Sequence, residues 1–112
     1  MDEGTDVRGI PTTSVPVGTV TGAGEYALCN INGEYFAVSR WCRHRGGDLA
    51  KGAIDGAGCL VCPVHGARYD VRTGETVDGP RVPGGRLFKA VMNRRPLARG
   101  NVEVRDGSVF VS

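Results

Sequence analysis

The sequence predicts an all-β fold, an antiparallel domain of roughly eight to ten short strands with one short helix. Eighteen glycines and six prolines in 112 residues indicate many turns between short strands. The dipeptides Asn32-Gly33 and Asp106-Gly107 each separate two strand-like segments, which is typical of a tight β-hairpin. The chain length fits one domain with a single modest core.

The N-terminal third begins with a polar segment, residues 1–13, which is predicted to be flexible. A first strand is expected over residues 14–21, followed by a turn at 22–24. Segments 25–31 and 34–40 then pair across Asn32-Gly33 as a hairpin. Cys29 lies in the first strand of this hairpin and is interpreted as a small buried hydrophobic residue.

Two further strand pairs follow. Residues 59–75 contain two short strands around a corner rich in Pro and Gly, with a second turn at 72–75. Residues 101–112 form the clearest hairpin, because valines alternate with polar residues on both sides of Asp106-Gly107.

One segment departs from the strand pattern and predicts a helix near residues 85–95. Leu87, Phe88, Val91 and Met92 share one side of such a helix, and basic and polar residues occupy the other. We expect the apolar side to pack on the β core and the basic side to be solvated. The alternative is that the basic side docks an acidic partner.

Charge and hydropathy restrict the class of protein. The formal net charge is +2, which gives no overall field for nucleic acid or a membrane surface. No secretory signal is visible, and the apolar runs are too short to span a bilayer. These features favour the cytoplasm, where thiols stay reduced. The four cysteines therefore suggest metal binding before disulfides.

The metal-ligand pattern is Cys42-x-His44 followed, after seventeen residues, by Cys62-x-x-His65. Each half supplies one thiolate and one imidazole from a tight loop. A zinc ion could bind all four in a tetrahedron. A [2Fe–2S] cluster could instead place both cysteines on one iron and both histidines on the other. The mixture of Cys and His in each loop favours the cluster, because zinc fingers usually pair like residues.

The segments CRHRGG (42–47) and CPVHGARYDVRTGE (62–75) resemble the two cluster-binding loops of Rieske proteins. The similarity spans most of residues 15–80 and resumes at about 101–111. It implies a single Rieske-type β-sandwich domain over 1–112, with a small cluster-binding subdomain at about 40–80. It also implies that Cys42 and Cys62 hold the inner iron, and that His44 and His65 hold the outer one.

The resemblance assigns further roles around the cluster. Gly46, Gly47 and Gly66 would let backbone N–H groups approach the sulfurs, and Gly79-Pro80 would form a loop over the cluster. Tyr69 occupies the position of a tyrosine that bonds a cysteine sulfur.

Two differences from the high-potential branch of the family suggest a low reduction potential. That branch joins its two loops by a disulfide, at positions where this chain has Gly47 and Val64. It also has a serine where this chain has Ala67. With fewer hydrogen bonds to stabilise the reduced state, we expect a potential near the low end of the Rieske range, about −150 mV.

The resemblance implies a one-electron carrier and not an enzyme. Both histidines are assigned to the cluster, and no Gly-x-Gly-x-x-Gly motif for a dinucleotide follows a strand. The expected function is a ferredoxin that passes electrons from an NAD(P)H-dependent reductase to a terminal oxygenase. Two alternatives are a permanent, non-catalytic subunit of a larger oxidoreductase and a zinc-stabilised interaction module. A buried apolar helix side would favour a free shuttle, and an exposed one a stable interface.

Overall fold

The computed structural model describes residues 9–42, 46–64 and 66–112. These residues form short strands, one α-helix and two 3₁₀ turns: β1 (Ile10–Pro11), β2 (Thr19–Ala23), β3 (Tyr26–Ile31), β4 (Glu34–Ser39), β5 (Ala53–Ile54), β6 (Leu60–Val61), β7 (Arg68–Tyr69), β8 (Thr76–Asp78), α1 (Gly85–Met92), β9 (Arg99–Gly100), β10 (Val102–Arg105), β11 (Ser108–Val111), and 3₁₀ turns at Thr12–Ser14 and Leu49–Lys51. The predicted fold class is confirmed.

The strands form three antiparallel sheets. Their strand orders are β1-β11-β10, β2-β3-β4-β9 and β5-β6-β7-β8. Strand β3 is central, since its two faces pack into different clusters of buried residues. Ala27, Cys29 and Ile31 point into a cluster shared with the third sheet. Leu28 points the other way, into a cluster with Val109 of the first sheet, as the two-residue period of a strand requires.

Both predicted hairpin turns are confirmed. Asn32 and Gly33 have φ values of 55° and 92°, and Asp106 and Gly107 have 52° and 75°. Positive φ at both central residues is the geometry that Asn-Gly and Asp-Gly favour. The prediction for Cys29 is also confirmed, because its side chain is fully buried. Burial raises the pKa of the Cys29 thiol to about 12, so the thiol stays neutral.

The N-terminal region differs from the expectation. Ile10–Pro11 pairs with β11, inside the segment 1–13 that was expected to be flexible. The first long strand begins at Thr19 and not at residue 14, and it extends through Ala23. The preceding segment is fixed by Val15, which is fully buried and whose carbonyl accepts a 2.7 Å bond from Asn30 Nδ2. These are contacts distant in sequence, which local polarity does not reveal.

Helix α1 forms where it was predicted, but most of its apolar side is exposed. Met92 is 4% exposed, whereas Leu87 is 71%, Val91 50% and Phe88 40% exposed. The expectation that this side packs on the core is therefore wrong for all but Met92. Periodicity showed that these residues share a side of the helix, but it carries no information on what covers that side.

Candidate cluster-binding site

The two predicted cluster loops close with the same hydrogen-bond pattern. In the first loop, Cys42 N–H donates to the Gly47 carbonyl at 2.8 Å, and Gly46 N–H donates to the Cys42 carbonyl at 2.9 Å. In the second loop, Cys62 N–H donates to the Ala67 carbonyl at 2.8 Å, and Gly66 N–H donates to the Cys62 carbonyl at 3.1 Å. Each loop is thus a small ring that begins at a cysteine.

Gly46 and Gly66 occupy equivalent places in the two rings, and each closes its ring with a backbone hydrogen bond. Gly46 and Gly66 have φ values of 68° and 75°, which glycine adopts without strain. Their N–H groups donate to the cysteine carbonyls, so each closes its own loop. The approach of backbone N–H groups to the cluster sulfurs stays a prediction.

The two rings lie against each other at Gly47. A Cβ atom placed on Gly47 would lie 3.0 Å from Cys62 Sγ and 2.7 Å from Val64 Cγ2. Both distances are too short for a real side chain without movement, so the approach of the loops requires glycine. Gly47 and Val64, the two positions of the missing disulfide, thus face each other as the resemblance implies. None of the four cysteines, all of which lie among the described residues, forms a disulfide.

The predicted contact of Tyr69 with a cysteine sulfur is confirmed. Tyr69 Oη lies 3.0 Å from Cys42 Sγ, and the tyrosine is fully buried. If Cys42 holds iron as the resemblance implies, the phenol would be the donor, because a thiolate can only accept. Ala67, also buried, offers no hydroxyl at its position. Tyr69 therefore supplies a side-chain donor to this sulfur, whereas the side chain of Ala67 supplies none.

An ion pair that the sequence analysis missed fixes the ends of the first ring. Arg40 Nε and Nη2 donate to Asp48 Oδ1 and Oδ2 at 2.9 and 3.0 Å. The Arg40 hydrogen bond, with help from Ala50 N–H at 3.0 Å, holds the pKa of the Asp48 carboxyl below its usual value. The sequence signal was a pair of opposite charges that flank CRHRGG.

A second ion pair supports the strands that enter and leave the second ring. Arg68 Nε donates to Asp55 Oδ2 at 2.7 Å, and Arg68 also pairs with Asp78. Asp55 Oδ1 accepts from Cys59 N–H at 3.0 Å, and this bond is the main reason that the pKa of Asp55 is lowered. Desolvation raises the pKa of the Cys59 thiol, so Cys59 is not an activated nucleophile.

The loop at Gly79-Pro80 borders the second ring. Pro80 is buried, and the side chain of Arg81 lies 3.3 Å from the place of a Cβ on Gly66. This position agrees with the loop that the resemblance places beside the cluster. His44 and His65, the expected ligands of the outer iron, lie outside the described residues. In the sequence each falls within the span of one ring.

The residues that are described suit a [2Fe–2S] cluster. Cys42 and Cys62 are 5% and 2% exposed, and both belong to the larger buried cluster of residues. The contact between Gly47 and Cys62 Sγ joins their loops. Such a site offers cysteine sulfurs in a dry setting, which suits an iron–sulfur centre.

Comparison with known proteins identifies the class. The family model for the Rieske [2Fe-2S] domain matches residues 5–102, and the chain belongs to this family. The 3-phenylpropionate/cinnamic acid dioxygenase ferredoxin subunit of Photorhabdus laumondii is 27% identical over 88 residues, which cover 79% of this chain and 72% of the relative. The subunit of the same description from Escherichia coli K12 is 26% identical over 85 residues, which cover 76% and 69%.

Solved structures share the fold. The ferredoxin of carbazole 1,9a-dioxygenase from Nocardioides aromaticivorans superposes with a TM-score of 0.75 at 24% identity, covering 97% of this chain and 98% of that one. The terminal oxygenase of the same system superposes with a TM-score of 0.74 at 28% identity, covering 96% of this chain but 30% of that one. The fold therefore occurs both as a whole ferredoxin and as part of a larger oxygenase chain.

These findings define the protein as a Rieske-type electron carrier. It binds a [2Fe–2S] cluster. It is an electron-carrier protein and not itself an enzyme. Among the residues that the structure describes, no helix has both the length and the apolar character needed to cross a membrane.

Proposed function

We propose that this protein is a ferredoxin that takes single electrons from an NAD(P)H-dependent reductase and gives them to a terminal oxygenase. The observation that carries the proposal is the pair of matching rings, each of which begins at a buried cysteine. The chain that holds them covers 72% and 69% of the lengths of two dioxygenase ferredoxin subunits. In each transfer the reduced ferredoxin loses one electron and the oxygenase gains it. The reductase divides the two electrons of NAD(P)H into such single steps.

The proposed ligands are Cys42 and Cys62 on the inner iron, and His44 and His65 on the outer iron. The contact of Tyr69 with Cys42 supports the first pair, and the position of each histidine within the span of a ring supports the second. When bound, the cluster supplies reversible one-electron chemistry. The chain orients the thiolates, donates from Tyr69 and excludes water from the cysteine side.

The proposed domain organisation is one domain over 1–112 with a cluster-binding subdomain at about 40–80. Its support is the third sheet, which joins residues 53–78, and the first ring, which packs on it through Gly47. We propose the cytoplasm as the location, because four cysteines without a disulfide and an NAD(P)H-dependent donor both suit a reducing compartment. Cell fractionation with an antibody to the holoprotein tests this location.

A specific observation favours the second candidate, a permanent subunit of a larger oxidoreductase. The exposed side chains of Leu87 and Val91 are the kind of surface that a stable interface would cover. Purification of the tagged protein from its own cells separates the two candidates. A stoichiometric partner retained at high dilution indicates a subunit, and a free monomer indicates a shuttle.

The first test of the cluster is an EPR spectrum of the dithionite-reduced protein, with iron, sulfide and zinc assayed on the same sample. A rhombic signal with an average g below that of all-cysteine [2Fe–2S] ferredoxins supports the Cys₂His₂ ligand set. A colourless protein with one zinc per chain would overturn it.

The ligand assignment is tested by substitutions with controls from the same chain. Cys42→Ser, Cys62→Ser, His44→Ala and His65→Ala should each abolish the Rieske EPR signal. Cys29→Ala and Cys59→Ser should keep it, because neither thiol lies in a ring. The electron-transfer role is tested with the purified Rieske oxygenases of the source organism. One of these oxygenases should reoxidise the reduced protein faster than dioxygen alone does.

A further inference from the structure

Helix α1 presents apolar side chains beside the cluster loop. Leu87 and Val91 lie one turn apart on the same side of the helix and are 71% and 50% exposed. Trp41, which is 43% exposed, faces Val91 across an open cleft of about 310 Å³, which Cys42, Met92 and Arg95 also line. We refer to Leu87, Val91 and Trp41 as the apolar strip. A contiguous apolar strip marks an interaction site more often than scattered exposed residues do.

The strip is held in place by contacts at both ends of the helix. At the C-terminal end, Asn93 Oδ1 accepts from Thr76 N–H at 2.7 Å and Asn93 Nδ2 donates to the Thr76 carbonyl at 3.0 Å. At the N-terminal end, Gly79 approaches the Gly85 carbonyl so closely that no Cβ would fit. A helix of eight residues is not stable alone. These anchors therefore fix α1 while they leave Leu87 and Val91 facing outward.

Basic residues border the α1 part of the strip, whereas at its other end Trp41 Nε1 donates to Glu25 Oε1 at 3.3 Å. Between Gly79 and Asn101 the sequence has six Arg or Lys residues and no Asp or Glu. Four of them lie on α1 or just after it, and all four are exposed: Arg86, Lys89, Arg94 and Arg95. A second copy of this chain would bring like charges together across a two-fold contact, which opposes self-association. The surface instead fits a protein whose apolar patch is bordered by Asp and Glu.

We propose that the apolar strip and its basic border form the surface on which the terminal oxygenase docks to accept the electron. This inference rests on the proposed function. Trp41 directly precedes Cys42, and both line the cleft beside Val91. An oxygenase seated on the strip would therefore lie against the first cluster loop, which shortens the path for the electron. In this step the reduced ferredoxin loses one electron, and the oxygenase gains that electron.

The test measures the second-order rate constant for oxidation of the reduced holoprotein by its oxygenase in a stopped-flow instrument. Leu87→Gln with Val91→Gln should lower this constant at least tenfold. Val17→Gln is the matched control, because Val17 is 62% exposed and lies outside α1 and both rings. EPR signals and reduction potentials should be equal in all these proteins.

The charge of the border is tested with the two lysines of the chain. Lys89→Glu should lower the rate constant at least fivefold at low salt, and the difference should disappear at about 0.5 M NaCl because salt screens exposed charges. Lys51→Glu changes the net charge equally but lies outside α1, and it should leave the constant near the wild-type value.

Each contrary outcome overturns a defined part of the proposal. Equal rate constants for wild type and the α1 variants would overturn the docking surface. If the α1 variants were reduced more slowly by the reductase but oxidised normally by the oxygenase, the oxygenase would not be the partner that docks on the strip. A wild-type dimer in sedimentation that Leu87→Gln dissociates would assign the strip to a second copy. If the wild-type protein reduces none of the oxygenases, the proposed function itself fails, and the docking surface fails with it.

Discussion

The hydroxyl of Tyr69 lies within hydrogen-bond distance of Cys42 Sγ, the sulfur of a proposed cluster ligand, and it should tune the potential. Tyr69→Phe removes the bond to Cys42 Sγ and keeps the ring in the core. The bond strengthens as the sulfur gains negative charge, so its loss should lower the reduction potential by about 60 mV, or roughly 1.4 kcal/mol for one electron. Protein-film voltammetry measures the change.

Tyr35→Phe is the control for this prediction, because Tyr35 lies on β4, outside both rings. Its potential should equal that of the wild type. An unchanged potential in Tyr69→Phe would mean that the phenol is not a donor to Cys42 in the holoprotein.

Gly47 allows the two rings to meet, and a methyl group there should disturb cluster binding. Gly47→Ala places its Cβ against Val64 and Cys62 Sγ, so we expect less than half the wild-type iron and sulfide per chain. Gly56→Ala is the control, because no atom lies within 4 Å of a Cβ at that position. The double variant Gly47→Ala/Val64→Ala should recover part of the cluster, since Val64 is the nearer obstacle. Full loading of Gly47→Ala alone would contradict the packing argument.

At the scale of elements, the sequence predicted what depends on local conformation. The turns at Asn32-Gly33 and Asp106-Gly107 were correct because positive φ is a property of those residues. Helix α1 was correct because its period is local. The pairing of Ile10–Pro11 with β11 was missed because it depends on residues nearly 100 positions away. The exposure of Leu87 and Val91 was missed for the same reason, since a neighbour must be present to cover a helix side.

The positions of the two loops were predicted better than the strand boundaries, whereas the ligand roles of Cys42, His44, Cys62 and His65 stay a prediction. The two Cys and His pairs define the loops directly, because the spacing of ligands is written in the sequence. The ion pair of Arg40 with Asp48 was not predicted, since many opposite charges lie eight residues apart without meeting. The hydrogen bonds by which Gly46 and Gly66 close the two rings were not predicted, because a motif gives positions and not directions of N–H groups.

The Arg40–Asp48 pair should stabilise the first ring at neutral pH. Asp48→Asn should lower the free energy of unfolding by about 2 kcal/mol at pH 7, because a charge-assisted, two-point bond is lost. The folded-state pKa of Asp48 lies below its unfolded value. Its contribution is therefore present above about pH 4 and is lost as the pH falls through the folded pKa.

This dependence is measured as the difference in Tm between wild type and Asp48→Asn from pH 7 to pH 3. The difference should shrink on the acid side, and acid effects on the cluster common to both proteins cancel. Asp106→Asn is the control, because the hairpin turn accepts Asn equally well. A difference that is constant across this range would argue against an ionised Asp48 in the pair.

At the scale of the whole molecule, the cluster site is part of the larger core. Cys42, Cys62 and Tyr69 belong to the same cluster of buried residues as Cys29 and Val38 of the central hairpin. Val15, Leu28 and Val109 form a separate cluster on the other face of that hairpin. Loss of the bound group should therefore affect one side of the molecule more than the other.

Removal of the cluster with a chelator under reducing conditions should lower Tm by at least roughly 10 °C. A ligand that binds only the folded state at 100 times its Kd adds ~2.7 kcal/mol, and each kcal/mol shifts Tm by about 4–8 °C in a domain of this size. Hydrogen exchange should accelerate in β5–β8 and change least in β10–β11. Reconstitution with iron and sulfide should restore both, and an equal Tm with and without cluster would contradict the shared core.

The contact between Gly47 and Val64 also bears on how such proteins diverge. A Cβ on Gly47 would lie 3.6 Å from Val64 Cβ, within the separation that a disulfide spans. The backbone is thus already arranged for a covalent link that this chain does not have. Paired cysteines could be gained or lost at these two positions without rebuilding the loops. A lineage could in this way exchange a robust, crosslinked centre for an open one through two codon changes.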